Sequence, residues 1–291
     1  MFVFKAAVVG AGTMGGEIAQ VIAAAGVPVV LKDIDQRFVD AGLAKAREVT
    51  QGQVAKLVAK ERITAEQAEA QVETLLGRIQ GTLAYEDLGD VDFVVEAVPE
   101  TMAIKQTVFS ELDAATPGHA VLASNTSGLS ITEIGDATSR PDKVVGFHFF
   151  WPASFMRLIE VVEGDETSPE TAQAAAAFAQ AIRRMPVRCG ECPGFVVNRI
   201  LMSLAAEMWR YQDESGVSAE AIDEYVADQK LAPMGPFRLA DMTGLDTGLK
   251  VARDMVEAYG DRFYVHQGME ALVAAGHLGR KSGKGFYAYD G

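Results

Sequence analysis

A segment near the middle of the chain carries side chains suited to acid–base chemistry. His148 directly follows an apolar run, and Glu160 lies within a second apolar run twelve residues later. Two strands joined by a turn at Pro152 would bring Glu160 back beside His148. A carboxylate that binds one imidazole nitrogen fixes the tautomer and leaves the other nitrogen as the base. The spacing therefore predicts a general-base pair of His148 and Glu160.

A structural role for His148 is the alternative, because aromatic residues flank it on both sides and a lone histidine in such a setting is often part of a core. The positions of other polar residues favour chemistry. Asp33, Glu100, Ser127 and His148 each come just after a different predicted strand. In an open α/β sheet, ligands bind beyond the carboxyl ends of the strands. These four residues are therefore expected at one edge of the sheet.

The first strand is followed by the glycine motif G-A-G-T-M-G. It supplies the candidate cofactor-binding residues Gly10, Gly12, Thr13, Met14 and Gly15. A helix follows, then a second strand that ends at Asp33, 18 residues after the last glycine of the motif. This is the full context of a dinucleotide site, in which the helix N-terminus meets the pyrophosphate. An acid at Asp33 would bind ribose hydroxyls and repel a 2′-phosphate, which favours NAD over NADP.

The order of elements predicts an α/β fold with a Rossmann-type, doubly wound and mostly parallel sheet. Residues 36–77 read as two helices inserted after the second strand, divided at Gly52 and at residues 62–64, with a capping box that starts at Thr64. Strand–helix alternation stops after the CPG sequence. We therefore predict an NAD-binding domain over residues 1–187 and an all-helical domain over residues 188–291.

One helix of the second domain, predicted over residues 195–212, is apolar nearly all round. Such a helix needs burial, which a second copy of the chain could supply. The same helix is predicted to begin at Pro193, which places Asn198 in its first turns at the junction of the two domains.

Composition excludes several classes of protein. The chain has 291 residues, of which 49% are hydrophobic, and a formal net charge of −14. This charge argues against a nucleic-acid binder, which needs clustered Lys and Arg. Neither a signal peptide nor a membrane span is expected. The two cysteines, Cys189 and Cys192, suit a reducing cytoplasm, although a C-x-x-C pair can also bind zinc or act in redox chemistry.

The sequence resembles the 3-hydroxyacyl-CoA dehydrogenases over essentially its full length. The matching stretches are VVGAGTMGGEIA, VVLKDID, DFVVEAVPE, LASNTSGLSI, GFHFFWP, RLIEVV, CPGFVVNRI, PMGPF and GRKSGKGFYAY. GVPVVLKDID and CPGFVVNR are similar to the dehydrogenase portion of multifunctional fatty-acid oxidation enzymes, so the chain could be one domain of a longer protein. The resemblance implies oxidation of an (S)-3-hydroxyacyl-CoA by NAD+ and a homodimer formed through the helical domain.

The resemblance also assigns roles to individual residues. His148 corresponds to the catalytic base and Glu160 to its partner, and Ser127 and Asn198 correspond to the groups that hold the oxygen on carbon 3 of the substrate. The resemblance places Asp33, Glu100, Lys105 and Ser127 where the family contacts NAD. Lys56 falls near the coenzyme A part of the substrate. Trp151 departs from the family motif H-F-F-N-P, in which an asparagine lies near the cofactor.

Two other functions compete with this one. The first is an NAD-dependent hydroxyacid dehydrogenase of similar build that uses a lysine as its base, and the His148–Glu160 pair counts against it. The second is a non-catalytic protein that binds NAD or acyl-CoA structurally. The presence of all four catalytic side chains counts against that alternative.

Overall fold

The computed structural model describes residues 2–289. These residues form two compact units, the first ending at Cys192 and the second beginning at Pro193. No helix among the described residues is long and apolar enough to cross a membrane.

The first unit is built on an eight-stranded sheet with the strand order 3-2-1-4-5-6-7-8. The strands are β1 (Ala6–Val9), β2 (Val29–Lys32), β3 (Ile79–Thr82), β4 (Phe93–Glu96), β5 (Val121–Ser124), β6 (Val144–Phe149), β7 (Leu158–Glu163) and β8 (Met185–Gly190). Strands β1 to β6 are parallel, β7 pairs with β6 in the antiparallel sense, and β8 runs parallel to β7. The chain order reverses between β1 and β4, where doubly wound sheets bind dinucleotides. The predicted fold class is confirmed.

Six helices accompany the sheet in the described part of this unit. They are α1 (Thr13–Ala24), α2 (Gln36–Val58), α3 (Ala65–Leu76), α4 (Met102–Ala115), α5 (Ile131–Gly135) and α6 (Pro169–Ala181). Helices α1 and α6 bury apolar faces in the main core, which includes Ile18, Ile22, Phe147 and Phe178. Helices α2 and α3 are the inserted pair. The capping box at Thr64 is present, with the Thr64 side chain and the Gln67 side chain each bonded to the other residue's backbone N–H.

Three local predictions need correction. Helix α2 continues through Gly52 without a break. A glycine inside a helix costs only about 1 kcal/mol relative to alanine, and the other residues of this long helix offset that cost. Strand β3 (Ile79–Thr82, sequence IQGT) was not predicted, since it is a partly exposed edge strand without apolar alternation. Residue 187, the predicted domain boundary, falls inside β8, and the first compact unit continues to Cys192.

The second unit is helical. Its helices are α7 (Val197–Ser215), α8 (Ala219–Asp228), α9 (Pro236–Thr243), α10 (Leu245–Tyr259) and α11 (Gln267–Ala274). Gly244, at φ +99°, separates α9 from α10. Helix α7 begins at Val197 rather than at Pro193, and Asn198 is its second residue.

Helix α7 is only partly buried within the single chain, so the predicted burial against a second copy stays a prediction. Trp209 and Ala206 are buried, and Trp209 packs with Phe237, Leu245 and Met269 in the core of the unit. Three apolar residues of the same helix are exposed, namely Ile200, Leu201 and Leu204.

Candidate active site

The glycine motif forms an open turn between β1 and α1. Gly10 has φ +100°, which favours glycine, and a Cβ on Gly15 would collide with the carbonyl oxygen of Gly10. Gly12 is the N-cap of α1 and makes no side-chain cap hydrogen bond, and a Cβ placed there would meet nothing within 4 Å. The first N–H groups of α1 therefore have no side-chain cap, and Gly12 and Thr13 at this end of the helix are exposed. This arrangement fits an anionic pyrophosphate.

The Asp33 carboxylate braces the same turn. One oxygen accepts a hydrogen bond from the Ala11 N–H at 2.6 Å, and the other accepts one from the Ile34 N–H at 2.6 Å. A carboxylate has about four lone-pair sites, so these two bonds leave Asp33 able to accept ribose hydroxyls. The neighbouring Lys32 is buried, with its Nζ 3.6 Å from the centre of the Tyr85 ring. Burial lowers the pKa of Lys32, while the charges of Glu111 and Asp33 oppose that shift.

A buried ion pair supports the next two strand ends. Lys105, 1% exposed, donates to both oxygens of Glu96 at 2.8 and 3.0 Å and lies 3.2 Å from the Glu100 carboxylate. The Ser124 hydroxyl donates to Glu96 at 2.7 Å. Glu100 in turn accepts the Ser127 N–H at 2.8 Å. Lys105 thus holds Glu100, and Glu100 holds the backbone of Ser127.

His148 and Glu160 meet as the sequence predicted. Strands β6 and β7 pair them directly across the antiparallel ladder. His148 Nδ1 donates to Glu160 Oε2 at 2.8 Å, and the two residues are 4% and 0% exposed. Because Nδ1 faces a carboxylate, the basic lone pair of the neutral ring lies on Nε2. The ring of Phe150 lies against the imidazole, with centroids 4.5 Å apart.

The segment after His148 turns sharply at a cis peptide bond between Trp151 and Pro152. The Trp151 side chain is 54% exposed. A residue just after the neighbouring strand β5 fixes the end of β6: the Asn125 carboxamide oxygen accepts a hydrogen bond from the Phe149 N–H at 2.8 Å.

Two further candidate residues belong to other elements. Lys56 is an exposed residue of the last turn of α2, and Asn198 is the second residue of α7 in the helical unit. Cys189 and Cys192 do not form a disulfide. Burial raises the pKa of the Cys189 thiol to about 11, which disfavours the thiolate that redox chemistry or zinc binding needs. Among residues 2–289, no group of three or more His, Cys, Asp or Glu is placed to hold a metal ion.

Comparison with protein families matches both units. The family model described as "3-hydroxyacyl-CoA dehydrogenase, NAD binding domain" covers residues 5–192, and the model of the C-terminal domain of the same family covers residues 194–289. The chain belongs to the 3-hydroxyacyl-CoA dehydrogenase family. The resemblance inferred from the sequence is confirmed. The predicted enzyme class, an oxidoreductase that uses NAD, is confirmed with it.

Individual relatives agree with this assignment. A probable 3-hydroxybutyryl-CoA dehydrogenase of Deinococcus radiodurans is 41% identical over 98% of this chain and 100% of its own length. The fatty acid oxidation complex subunit alpha of Pseudomonas savastanoi is 40% identical over 98% of this chain, which spans 39% of that protein. The crystal structure of (S)-3-hydroxybutyryl-CoA dehydrogenase PaaH1 from Ralstonia eutropha superposes with a TM-score of 0.91 at 37% identity, covering 100% of both chains.

Sequence inspection missed several residues that support the dehydrogenase site. Glu96, Asn125 and Lys32 were not singled out, although a carboxylate or an ammonium at the end of an apolar strand is an unusual signal that could have found Glu96 and Lys32. Glu17 was also missed. It is a 5% exposed acid of α1 that accepts two hydrogen bonds from Ser154.

Proposed function

We propose that the protein oxidises an (S)-3-hydroxyacyl-CoA to the 3-oxoacyl-CoA while reducing NAD+ to NADH, with His148 as the general base. The observation that carries this proposal is the 2.8 Å hydrogen bond between His148 Nδ1 and Glu160 Oε2. It lies at the edge of the sheet that also carries the glycine motif, as expected for a base that acts beside a dinucleotide.

In this mechanism, His148 Nε2 takes the proton of the 3-hydroxyl group as the carbon–hydrogen bond breaks. NAD+ held at the glycine motif would supply the hydride acceptor. The buried Glu160 carboxylate stabilises the imidazolium that forms, because an opposite charge at hydrogen-bond distance favours the charged ring. The hydroxyl of Ser127 would hold the substrate oxygen through a hydrogen bond, and the family resemblance assigns the same role to the carboxamide of Asn198.

The residues present fit NAD. The uncapped N–H groups of α1 at Thr13 and Met14 would receive the pyrophosphate, and Asp33 would accept the ribose hydroxyls. Glu100 would contact the cofactor, whereas the 1% exposed Lys105 would act by holding Glu100. Trp151 would lie where the family has an asparagine near the cofactor. The exposed Lys56 would meet the coenzyme A moiety of the acyl-CoA substrate.

We also propose a homodimer formed through the helical unit. The support is the exposure of Ile200, Leu201 and Leu204 on α7, at 63%, 46% and 54%. A cytoplasmic location is proposed on the two cysteines, which do not form a disulfide. A place within a longer multifunctional chain remains part of the proposal, since the relatives include both free-standing and longer proteins.

The deciding experiment measures NADH formation from (S)-3-hydroxybutyryl-CoA, with free 3-hydroxybutyrate as the comparison and His148→Gln as the control variant. We expect turnover of the thioester and strong loss in the variant. Equal turnover of the free acid would point to a general hydroxyacid dehydrogenase. Binding of NAD+ without turnover of either compound would point to a non-catalytic protein.

A further inference from the structure

We propose that Glu17 is a positioning residue for this reaction: its carboxylate ties the loop after His148, residues 150–157, to α1, the helix whose N-terminus would receive the pyrophosphate of the cofactor. This inference rests on the proposed function for its kinetic consequences. Its structural part can be tested separately.

Glu17 lies in the second turn of α1, five residues after Gly12, and is 5% exposed. A carboxylate is rarely buried unless it is paired or hydrogen-bonded. Both hydrogen bonds that the described residues make to Glu17 come from Ser154, whose N–H and hydroxyl each lie 2.9 Å from Oε2. The buried acid is therefore committed to one short stretch of the loop.

A second anchor holds the neighbouring residue of the loop. Arg184, just before β8, donates from Nη2 to the Ala153 carbonyl oxygen at 3.0 Å. The loop itself turns through two hydrogen bonds to the Pro152 carbonyl oxygen, from the Phe155 and Met156 N–H groups at 3.0 and 2.9 Å. Its backbone is thus fixed on both sides.

The side chains of the loop behave differently from its backbone. Phe155 is 78% exposed and Trp151 is 54% exposed, so neither ring is held by burial in the core. Their placement depends on the backbone that carries them. Trp151 follows the base His148 by three residues, and Phe150 between them packs on the imidazole. Glu17 therefore fixes the loop that carries Phe150 and Trp151 beside the base.

The strand pairing of β6 and β7 holds His148 and Glu160 themselves, independently of the loop. Because different contacts hold the base pair and the loop, loss of Glu17 is expected to change KM more than kcat. Loss of Glu17 should raise KM for NAD+ and for the acyl-CoA about five- to fifty-fold, because a displaced loop beside the base weakens productive binding. The value of kcat should change less than about threefold, because the base pair keeps its geometry.

The test compares Glu17→Ala, Glu17→Gln and Ser154→Ala, with Glu69→Ala, an exposed acid of α3, as the matched control. The amide oxygen of Gln can accept both bonds from Ser154, so Glu17→Gln should restore most of the affinity. Ser154→Ala keeps the backbone bond and should give an intermediate effect. Glu69→Ala should match the unmodified protein in every parameter.

A second measurement follows the loop directly. Trp151 and Trp209 are the two tryptophans of the chain, and Trp209 is only 3% exposed. Time-resolved anisotropy and acrylamide quenching should show faster local rotation of Trp151 in Glu17→Ala, and Trp151→Phe identifies its share of the emission. A purely structural Glu17 would lower the Tm while leaving KM and the rotation of Trp151 unchanged, and that result would overturn the inference.

The two measurements keep this inference distinct from the proposed function. If the unmodified protein made no NADH from 3-hydroxybutyryl-CoA, the proposed function would fail. The rotation of Trp151 and the titration with NAD+ would still decide whether Glu17 positions the loop. Unchanged rotation and unchanged NAD+ affinity in Glu17→Ala would then reject it.

Discussion

The substitution Glu160→Gln tests how the buried carboxylate assists the base. The carboxylate is 0% exposed and lies 2.8 Å from His148 Nδ1, so water cannot replace it when the imidazolium forms. A hydrogen bond to a charged group contributes about 1.5–3 kcal/mol, and a neutral one about 0.5–1.5 kcal/mol. The difference, about 1–1.5 kcal/mol, corresponds to a loss of roughly tenfold in kcat.

His148→Gln removes the base itself and should lower kcat by at least about 10²-fold. Because Glu160 is proposed to act through His148, the double variant should be no slower than His148→Gln alone. The assay is single-turnover reduction of NAD+ with 3-hydroxybutyryl-CoA, and circular dichroism and NAD+ titration verify the fold of each variant.

Glu163→Gln is the matched control for this series. Glu163 lies on the same strand, faces Arg188 at 3.0 Å and is partly exposed, so its loss should leave kcat within about twofold. Two results would refute the reasoning. One is a folded Glu160→Gln variant as slow as His148→Gln, and the other is a double variant whose loss equals the product of the single losses.

Three further substitutions test other parts of the site and the fold. Asp33→Ala should narrow the preference in kcat/KM for NAD+ over NADP+, and equal use of both cofactors by the unmodified protein would contradict the role of Asp33. Trp151→Asn should lower the Kd for NAD+ by a few-fold without abolishing turnover, since one neutral hydrogen bond contributes about 0.5–1.5 kcal/mol. Unchanged or weaker binding in a titration with NAD+ would show that the Trp151 ring points away from the cofactor. Burial lowers the pKa of His266 below its usual 6.5, although Asp213 opposes the shift. The neutral ring, which accepts the Met269 N–H at 2.9 Å and caps α11, therefore stabilises the fold above about pH 6.5, and this stability is lost as the pH falls further. His266→Asn keeps a cap without a titrating group, so its Tm should fall less than that of the unmodified protein between about pH 7.5 and pH 5.5, and parallel Tm curves would exclude this role.

Much of the fold was predictable because the signals are local. The glycine motif with its flanking strands, and the Thr64 capping box, depend on residues close together in the chain. The pairing of His148 with Glu160 was also predictable, because a hairpin turn lies between them and an antiparallel register follows from its length.

The sequence by itself therefore determined the class of the sheet, the type of cofactor and the candidate base. Tertiary structure decided which charges are buried and what they contact. Lys105 is committed to Glu96 and Glu100, and Glu17 binds Ser154, which is 137 residues away in the chain. Such contacts leave no periodic pattern in the sequence, because they depend on which helix packs beside which loop. The edge strand β3 was not predicted for a related reason. Its own sequence has no strand pattern, and it is a strand because its backbone pairs with β2.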